Sequence, residues 1–545
     1  MSVVFSRKEY PMIYGSRRLL FCKRGLLYLL ALPLMGFLVS GCAMVGPDYI
    51  KPPPAPEQKA WIEQRDPKIK TEPTDLASWW LVFDDPVLNS LVEQAYQQNL
   101  SLRIAGLRIL EARARLGIAS GLLYPQQQQG SGGAAYNKIS QNRLNLPPGF
   151  VDQIDTGFNT YDLAFDAFWE LDFWGKFRRN VESGLGTLEA SIASYDDALV
   201  SLTAEVARTY VAIRTFEERL EIARENVRIQ QRSLQIAEIR FKGGEVTELD
   251  VAQAKALLGQ TQALIPRLSR DLRQAKNALS ILLGKVPSEL NEILAGPKSI
   301  PGVPAEVAVG VPAELLRRRP DIRLAERQLA SQSPRIGIAK AELYPAFNLL
   351  GTIGLSSRNS SNFFDADSVT GLGGASFTWN ILNYGRIKNN VRVQDARFQE
   401  LAVNYQNTVL RAAQEVEDAM VAFLRTQEEA KFLSSSVQAY KRSVDLSLLQ
   451  YREGLVDYQR VLDTQRFLTQ SQETYVTRKG DILINLVAMY KALGGGWQIR
   501  EGKDFVPEEI SVEMAQRTDW GELLSLEEQK PPPEEDRKLW RSPDW

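Results

Sequence analysis

Histidine, the side chain most often used as a catalytic base or metal ligand near neutral pH, is absent from all 545 residues. Cysteine occurs twice, at Cys22 and Cys42, in no spacing of the CxxC kind that would hold zinc or pass electrons, and two thiols do not make a disulfide framework. No nucleophile stands beside a base, so no enzyme mechanism, metal site or cofactor is expected. The charges that remain are patterned for other work. Asp162, Asp166, Glu170 and Asp172 fall on alternate positions of one short segment, as the polar face of a strand would. Asp463 and Arg466 stand three residues apart, the spacing of an ordinary surface pair on a helix. Arg317, Arg318 and Arg319 read as a solvated helix start, and Gly494, Gly495 and Gly496 as a helix stop, more readily than as anion cradles.

Cys42 has a second reading. Arg17, Arg18, Lys23 and Arg24 precede an apolar stretch from Gly25 to Ser40, short for a membrane-spanning helix, so residues 1–41 read as a secretion signal. The stretch ends in Val39, Ser40, Gly41 and Cys42, which resembles the lipobox at which bacterial lipoproteins are cleaved and diacylated on the cysteine. Ala43 in the next position resembles signals passed on to the outer membrane. An ordinary cleaved signal with an incidental thiol would look similar. Removing residues 1–41 takes away six Lys and Arg and one Glu, which moves the net charge from −1 to −6. Nucleic acid is therefore not an expected partner.

The elements that position these residues come in two copies. At an offset of 210, Glu205, Val206, Val211 and Ala212 recur as Glu415, Val416, Val421 and Ala422. Phe241, Lys242 and Gly244 recur as Tyr451, Arg452 and Gly454, and Trp169 as Trp379. Upstream the offset becomes 220, pairing Gly117, Ile118, Ala119, Tyr124 and Pro125 with Gly337, Ile338, Ala339, Tyr344 and Pro345. The first half thus carries about ten extra residues, placed in the loop around Leu146 to Gly149. From Leu202 through Val206, Thr209, Ile213, Phe216, Leu220, Ala223, Val227, Gln230, Leu234 and Ala237 to Phe241, apolar positions alternate in spacings of four and three, a sustained heptad seam. Val416, Ala419, Phe423, Thr426, Ala430, Leu433, Val437, Tyr440 and Val444 repeat it. Ile222, Ile229, Ile236 and Ile239 form a second row, which suits a helix with partners on two sides, as in a cylinder wall.

Between the helices lie segments of period two. Tyr161, Leu163, Phe165, Ala167, Trp169, Leu171 and Phe173 alternate with the acidic set above; Phe347 to Leu355 and Ala375 to Ile381 alternate likewise, and a poorly patterned strand is expected near Gln126 to Tyr136. Alternation of this kind marks transmembrane barrel strands with a wet lumen, and a soluble sandwich edge shares it. About four strands per chain cannot close in lipid, where open edges are not tolerated and the smallest bacterial barrels have about eight. A barrel must then be shared: three copies make twelve strands and a ring of helices.

Several motifs carry a family resemblance over most of residues 42–500. They are Val45-Gly46-Pro47-Asp48-Tyr49, Trp79-Trp80 with Phe83, Asp85 and Pro86, the run from Leu315 to Leu329 with Pro320 in a first helical turn, and Tyr490 to Gln498. Together they resemble the TolC-like outer-membrane factors of tripartite efflux pumps, in the OprM/NodT-type lipoprotein branch. The resemblance implies a mainly α protein with a transmembrane β-barrel: a trimeric, twelve-stranded barrel, four strands per protomer, continuous with a long α-helical coiled-coil barrel, built by internal duplication. It implies a passive exit duct and not an enzyme, whose partners are a homotrimer, outer-membrane lipid, a periplasmic membrane-fusion adaptor and an inner-membrane transporter of the resistance-nodulation-division type. Adaptor docking falls on the tips at Gly243, Gly244, Val246, Gly454, Leu455 and Val456. The periplasmic gate falls on Gln459, Asp463 and Arg466, with Asp250 and Tyr451 linking neighbouring helix pairs. Gln459 departs from the apolar residue of close relatives, and Val456 from a basic residue in TolC, which leaves Asp250 without its expected cation.

The expected organisation is a signal over 1–41, a lipidated extended segment over 42–75 that includes Pro52, Pro53, Pro54 and Pro56, repeats over 76–300 and 301–500, and a polar tail over 501–545, flexible or draped on the helices. Pro266 is a candidate bend within one helix. A pore-less coiled-coil adaptor or adhesin would also explain heptads and lipidation.

Overall fold

The computed structural model describes residues 44–51, 60–70, 72, 76–140, 156–296, 299–304, 307–308 and 318–525. Cys42, the loop around Leu146 to Gly149, Pro52 to Pro56, Arg317 and the tail beyond 525 lie outside the described residues. The main elements are β1 (Ile69–Lys70), α1 (Pro86–Gln98), α2 (Leu100–Gly121), β2 (Gln127–Lys138), β3 (Gly157–Leu171), α3 (Lys176–Lys242), α4 (Glu248–Leu282), β4 (Val307–Ala308), α5 (Pro320–Ala341), β5 (Ala346–Ser357), β6 (Val369–Thr378), α6 (Arg386–Arg452), α7 (Tyr458–Ala492) and α8 (Glu508–Arg517). Helices α3 and α6 both have 67 residues and α4 and α7 both have 35, each pair displaced by 210. The duplication reaches the backbone: Gly175, Gly244 and Gly284 hold positive φ, as do Gly385, Gly454 and Gly494 at the same displacement. No described helix is long and apolar enough to cross a membrane.

The chain forms two compact units. The first comprises the described residues within 1–47, 122–180 and 335–392 and holds β2, β3, β5 and β6. These four make one antiparallel sheet in the order β2-β3-β5-β6. Register places paired residues on a shared face, and the carboxylates fall together on one side, which also holds Phe168, Leu350 and Leu372. Tyr161, Leu163, Phe165, Ala167, Trp169 and Leu171 line up with Leu349, Ile353 and Leu355 of β5 and onward to Phe377 and Ala375 of β6. The opposite face carries Gln129, Ser131, Asp162, Asp166, Glu170, Thr352, Ser356 and Ser376. Large apolar residues stay exposed on the first face, Ile353 at 64% and Phe377 at 66%. Trp169 and Trp379 each donate an indole N–H to a carbonyl, of Leu123 at 3.2 Å and of Leu343 at 3.0 Å, so the repeat extends to side-chain hydrogen bonds.

The second unit comprises the described residues within 48–121, 181–334 and 393–525; it is mainly helical and holds the short parallel pair of β1 with β4. The heptad reading places its residues well: Val206, Ile213 and Ala237 are fully buried and Leu220 and Ala223 nearly so, whereas Phe241 is 43% exposed. At about 1.5 Å per residue, α3 alone runs roughly 100 Å. Its partner α7 lies antiparallel, as Asn226 donates to Gln472 at 2.9 Å and Lys479 pairs with Glu218 at 2.7 Å. α4 continues unbroken through Pro266. One expectation is corrected. Arg319 does not sit in solvent: its guanidinium is buried and donates to the Ala492 carbonyl, Asp321 and Glu415. Of the two alternatives for the segment after Arg500, flexible or draped on the helices, the second describes it up to residue 525, because Phe505, Val506 and Met514 enter the main core, Phe505 against Tyr195. Asp196, with no exposed surface, accepts from Arg500 and Arg323 and ties that segment down.

Candidate functional sites at the helical tips and on the acidic strand face

Each helix pair turns through the same backbone device. Gly244 at φ 76° and Gly454 at φ 74° follow the last helical residues. The amides of Glu245 and Leu455 reach back to the carbonyls of Arg240 at 3.0 Å and Gln450 at 2.8 Å, closing Schellman caps that only a left-handed residue permits. The Asp457 carboxylate then accepts from the Arg460 amide to start α7.

Ala237, Val251, Ala254, Tyr451, Tyr458 and Val461 build a small core at the tips, separate from the main one. Val246 and Val456 pack against it and do not project outward with the glycines. Outward apolar surface comes instead from Leu455, 74% exposed, and from Leu249, 62% exposed, which the sequence reading did not single out. Tyr451 is 1% exposed and donates its hydroxyl to Asp250 Oδ2 at 3.3 Å, so α6 and α4 are joined within one protomer. Burial first, and the Asp250 charge second, push the Tyr451 phenol well above its usual range. It therefore stays protonated as a donor. No cation lies within ion-pair distance of Asp250 among the described residues. Arg240 supplies the positive charge nearby: its guanidinium stacks 4.7 Å over the Tyr451 ring, donates to the Tyr451 carbonyl and pairs with Glu245 at 2.9 Å. Sequence reasoning missed Arg240, because it belongs to α3 and meets Tyr451 across 211 residues of chain.

Gln459, Asp463 and Arg466 share one exposed face of α7. Gln459 Nε2 donates to Asp463 Oδ1 at 3.1 Å, and Arg466 Nη2 reaches the same oxygen at 3.3 Å. Gln253 of α4 donates to Gln459 at 3.4 Å, which binds this face to the neighbouring helix.

On the strand unit, Asp166 accepts from Thr352 at 2.7 Å and Ser131 at 3.3 Å, and Asp162 from Ser356 at 2.7 Å. Glu170 is offset by Lys176 at 2.9 Å. Asp172 leaves this set: it lies one residue beyond β3, its carboxylate 6% exposed, and accepts from the Phe177 and Arg178 amides and the Arg178 side chain, each at 3.0 Å. It serves the start of α3, where peptide N–H groups favour an anion. No group of side chains able to hold a metal occurs among the described residues.

A sheet with exposed apolar residues on one face and its carboxylates on the other, two long helix pairs and paired tips suit a channel protomer, and sequence comparison agrees. The family described as outer membrane efflux protein matches residues 91–285 and 311–495, one stretch per repeat. Nodulation protein T of Rhizobium leguminosarum bv. trifolii is 29% identical over 465 residues, 85% of this chain and 97% of that protein. The pyoverdine export outer membrane protein OpmQ of Pseudomonas putida is 32% identical over 425 residues, 77% of this chain and 88% of its own length. Among solved structures the outer-membrane channel OprN superposes with a TM-score of 0.77 at 32% identity, over 83% of this chain and 99% of that one. The chain belongs to the outer membrane efflux protein family. It is an outer-membrane exit duct with a TolC-like fold, which removes the pore-less adaptor or adhesin from consideration.

Proposed function

We propose that three copies join edge to edge into a twelve-stranded barrel that conducts small molecules passively, the periplasmic end opening when an adaptor and an inner-membrane transporter, of the resistance-nodulation-division type, engage it. The observation that carries this is the sheet: four strands in the order β2-β3-β5-β6 leave one edge of β2 and one of β6 unpaired, and lipid tolerates neither. Apolar residues exposed on α6, among them Val403, Leu410, Val421 and Phe432, give that helix a second face for a neighbouring copy. Cys42 carries the lipid anchor. Asp162, Asp166 and Glu170 face the lumen, with Asp172 as a structural cap. The tips around Gly243, Gly244, Gly454 and Leu455 receive the adaptor, supported from behind by Val246 and Val456. Gln459, Asp463 and Arg466, repeated three times about an axis, form the constriction, and Asp250 with Tyr451 holds it shut. Free energy for transport enters through the transporter; this chain needs no cofactor and catalyses nothing.

The full chain extracted from outer membranes should run as a trimer that heat converts to monomer, and should insert discrete conductance steps into planar bilayers. A detergent-solubilised monomer that conducts on its own, or a protein released by salt alone, would end the proposal.

A further inference from the structure

We infer that Arg240 is the cationic member of the tip latch, a positioning residue that holds Tyr451 where its hydroxyl meets Asp250 and so keeps the two helix pairs of a protomer together in the closed duct. The inference deepens the gate reading above and rests on it. Three contacts converge on this guanidinium. It donates to the Tyr451 carbonyl in the last turn of α6, where unpaired carbonyls and the helix dipole favour a cation. It covers the Tyr451 ring at 4.7 Å. It is aimed by Glu245 at 2.9 Å from the adjoining turn, with its side chain only 15% exposed. A planar, forked donor can make all three at once, and an ammonium cannot. Asp250 then holds the far end of the same tyrosine at 3.3 Å.

The duplication provides an internal control. At the displacement of 210, Arg240, Glu245 and Asp250 correspond to Gln450, Leu455 and Arg460, and Tyr451 corresponds to Phe241. Neither the two carboxylates, the guanidinium nor the phenol hydroxyl has a chemical counterpart, Phe241 keeping the ring alone, although the helices and turns that carry them coincide in length and φ. The latch is one-sided: α3 and α4 supply cation and anion, and α6 supplies the tyrosine.

Single-channel conductance of the purified full-chain trimer tests this, with trimer heat stability measured in parallel. Arg240→Gln should raise basal conductance several-fold, to the level of Tyr451→Phe and Asp250→Asn, while Arg240→Lys falls between. Combining Arg240→Gln with Tyr451→Phe should add little to either alone, because both break one unit. If Arg240→Gln fails to assemble, Glu245→Gln, at an exposed position, takes the charge from the aiming contact and should raise conductance by a smaller factor. Arg240→Gln or Glu245→Gln channels as closed as the parent, beside open Tyr451→Phe channels, would overturn the role of Arg240 and leave the gate standing. Failure of Tyr451→Phe and Asp250→Asn to open the pore would overturn the gate reading itself.

Discussion

Charge on the strand face sets a measurable selectivity. Asp162 and Asp166 are hydrogen-bonded to Ser356, Thr352 and Ser131 but have no ion-pair partner among the described residues, whereas Glu170 is offset by Lys176. The proposed trimer would therefore present two uncompensated carboxylates per copy to the lumen. For an ion about 10 Å from each, at water's dielectric and one Debye length of screening, each contributes on the order of 0.15 kcal/mol, and the ring on the order of 1 kcal/mol. That concentrates cations roughly fourfold or fivefold and depletes anions similarly, so the permeability ratio is on the order of ten in about 0.1 M salt. In about 1 M salt the Debye length shrinks to about 3 Å and the ratio should fall towards one. Asp162→Asn with Asp166→Asn removes the charge while the amide oxygens still accept from Ser356 and Thr352; the second Asp166 oxygen, which accepts from Ser131, is replaced by a donor. Reversal potentials under a salt gradient should show cation preference in the parent and its near loss in the double variant. Anion preference in the parent, or a preference untouched by both substitutions, would refute the lumenal placement of this face.

Three further outcomes follow from buried polar groups. Gln465 is 2% exposed with neither amide atom partnered among the described residues; Gln465→Leu should therefore stabilise the channel by about 1 to 3 kcal/mol in denaturant titrations, and destabilisation would show a hidden partner. Removing Asp196, the buried acceptor of Arg323 and Arg500, by Asp196→Ala strands two guanidinium groups and should cost about 3 to 5 kcal/mol. Limited proteolysis should then cut first after Arg500; an unchanged digestion pattern would mean that Phe505 and Val506 suffice to anchor the segment. Tyr210 donates to Asp85 at 2.6 Å, and burial first, then that bond, raises its phenol to about 12. Its unfolded value is about 10, so its contribution is complete below about pH 10 and lost as pH climbs towards about 12. Unfolding midpoints across that window should fall less steeply in Tyr210→Phe than in the parent.

Much of this architecture is written locally. A heptad seam or a period-two strand depends on neighbours within a few residues, so α3, α6, β3 and β5 were legible from spacing alone, as were the turns at Gly244 and Gly454, where positive φ suits glycine. The duplication made the same plan visible twice, and the strand count with the intolerance of lipid for bare edges led to shared closure. The pairing of particular side chains was decided only in three dimensions. Arg240 reaches Tyr451, Arg500 reaches Asp196 and Arg319 reaches Ala492 across long stretches of chain, and no periodicity encodes which residues of two packed helices come level. Asp172 matches the strand alternation in spacing, yet the chain leaves the sheet one residue earlier and its carboxylate meets the amides of α3. Val246 and Val456 sit beside exposed glycines but turn inward, because a tip must bury some apolar surface of its own. Sequence determined the elements and their repetition through local sterics and periodic burial; only tertiary packing decided which charges meet, because that depends on register between segments distant along the chain.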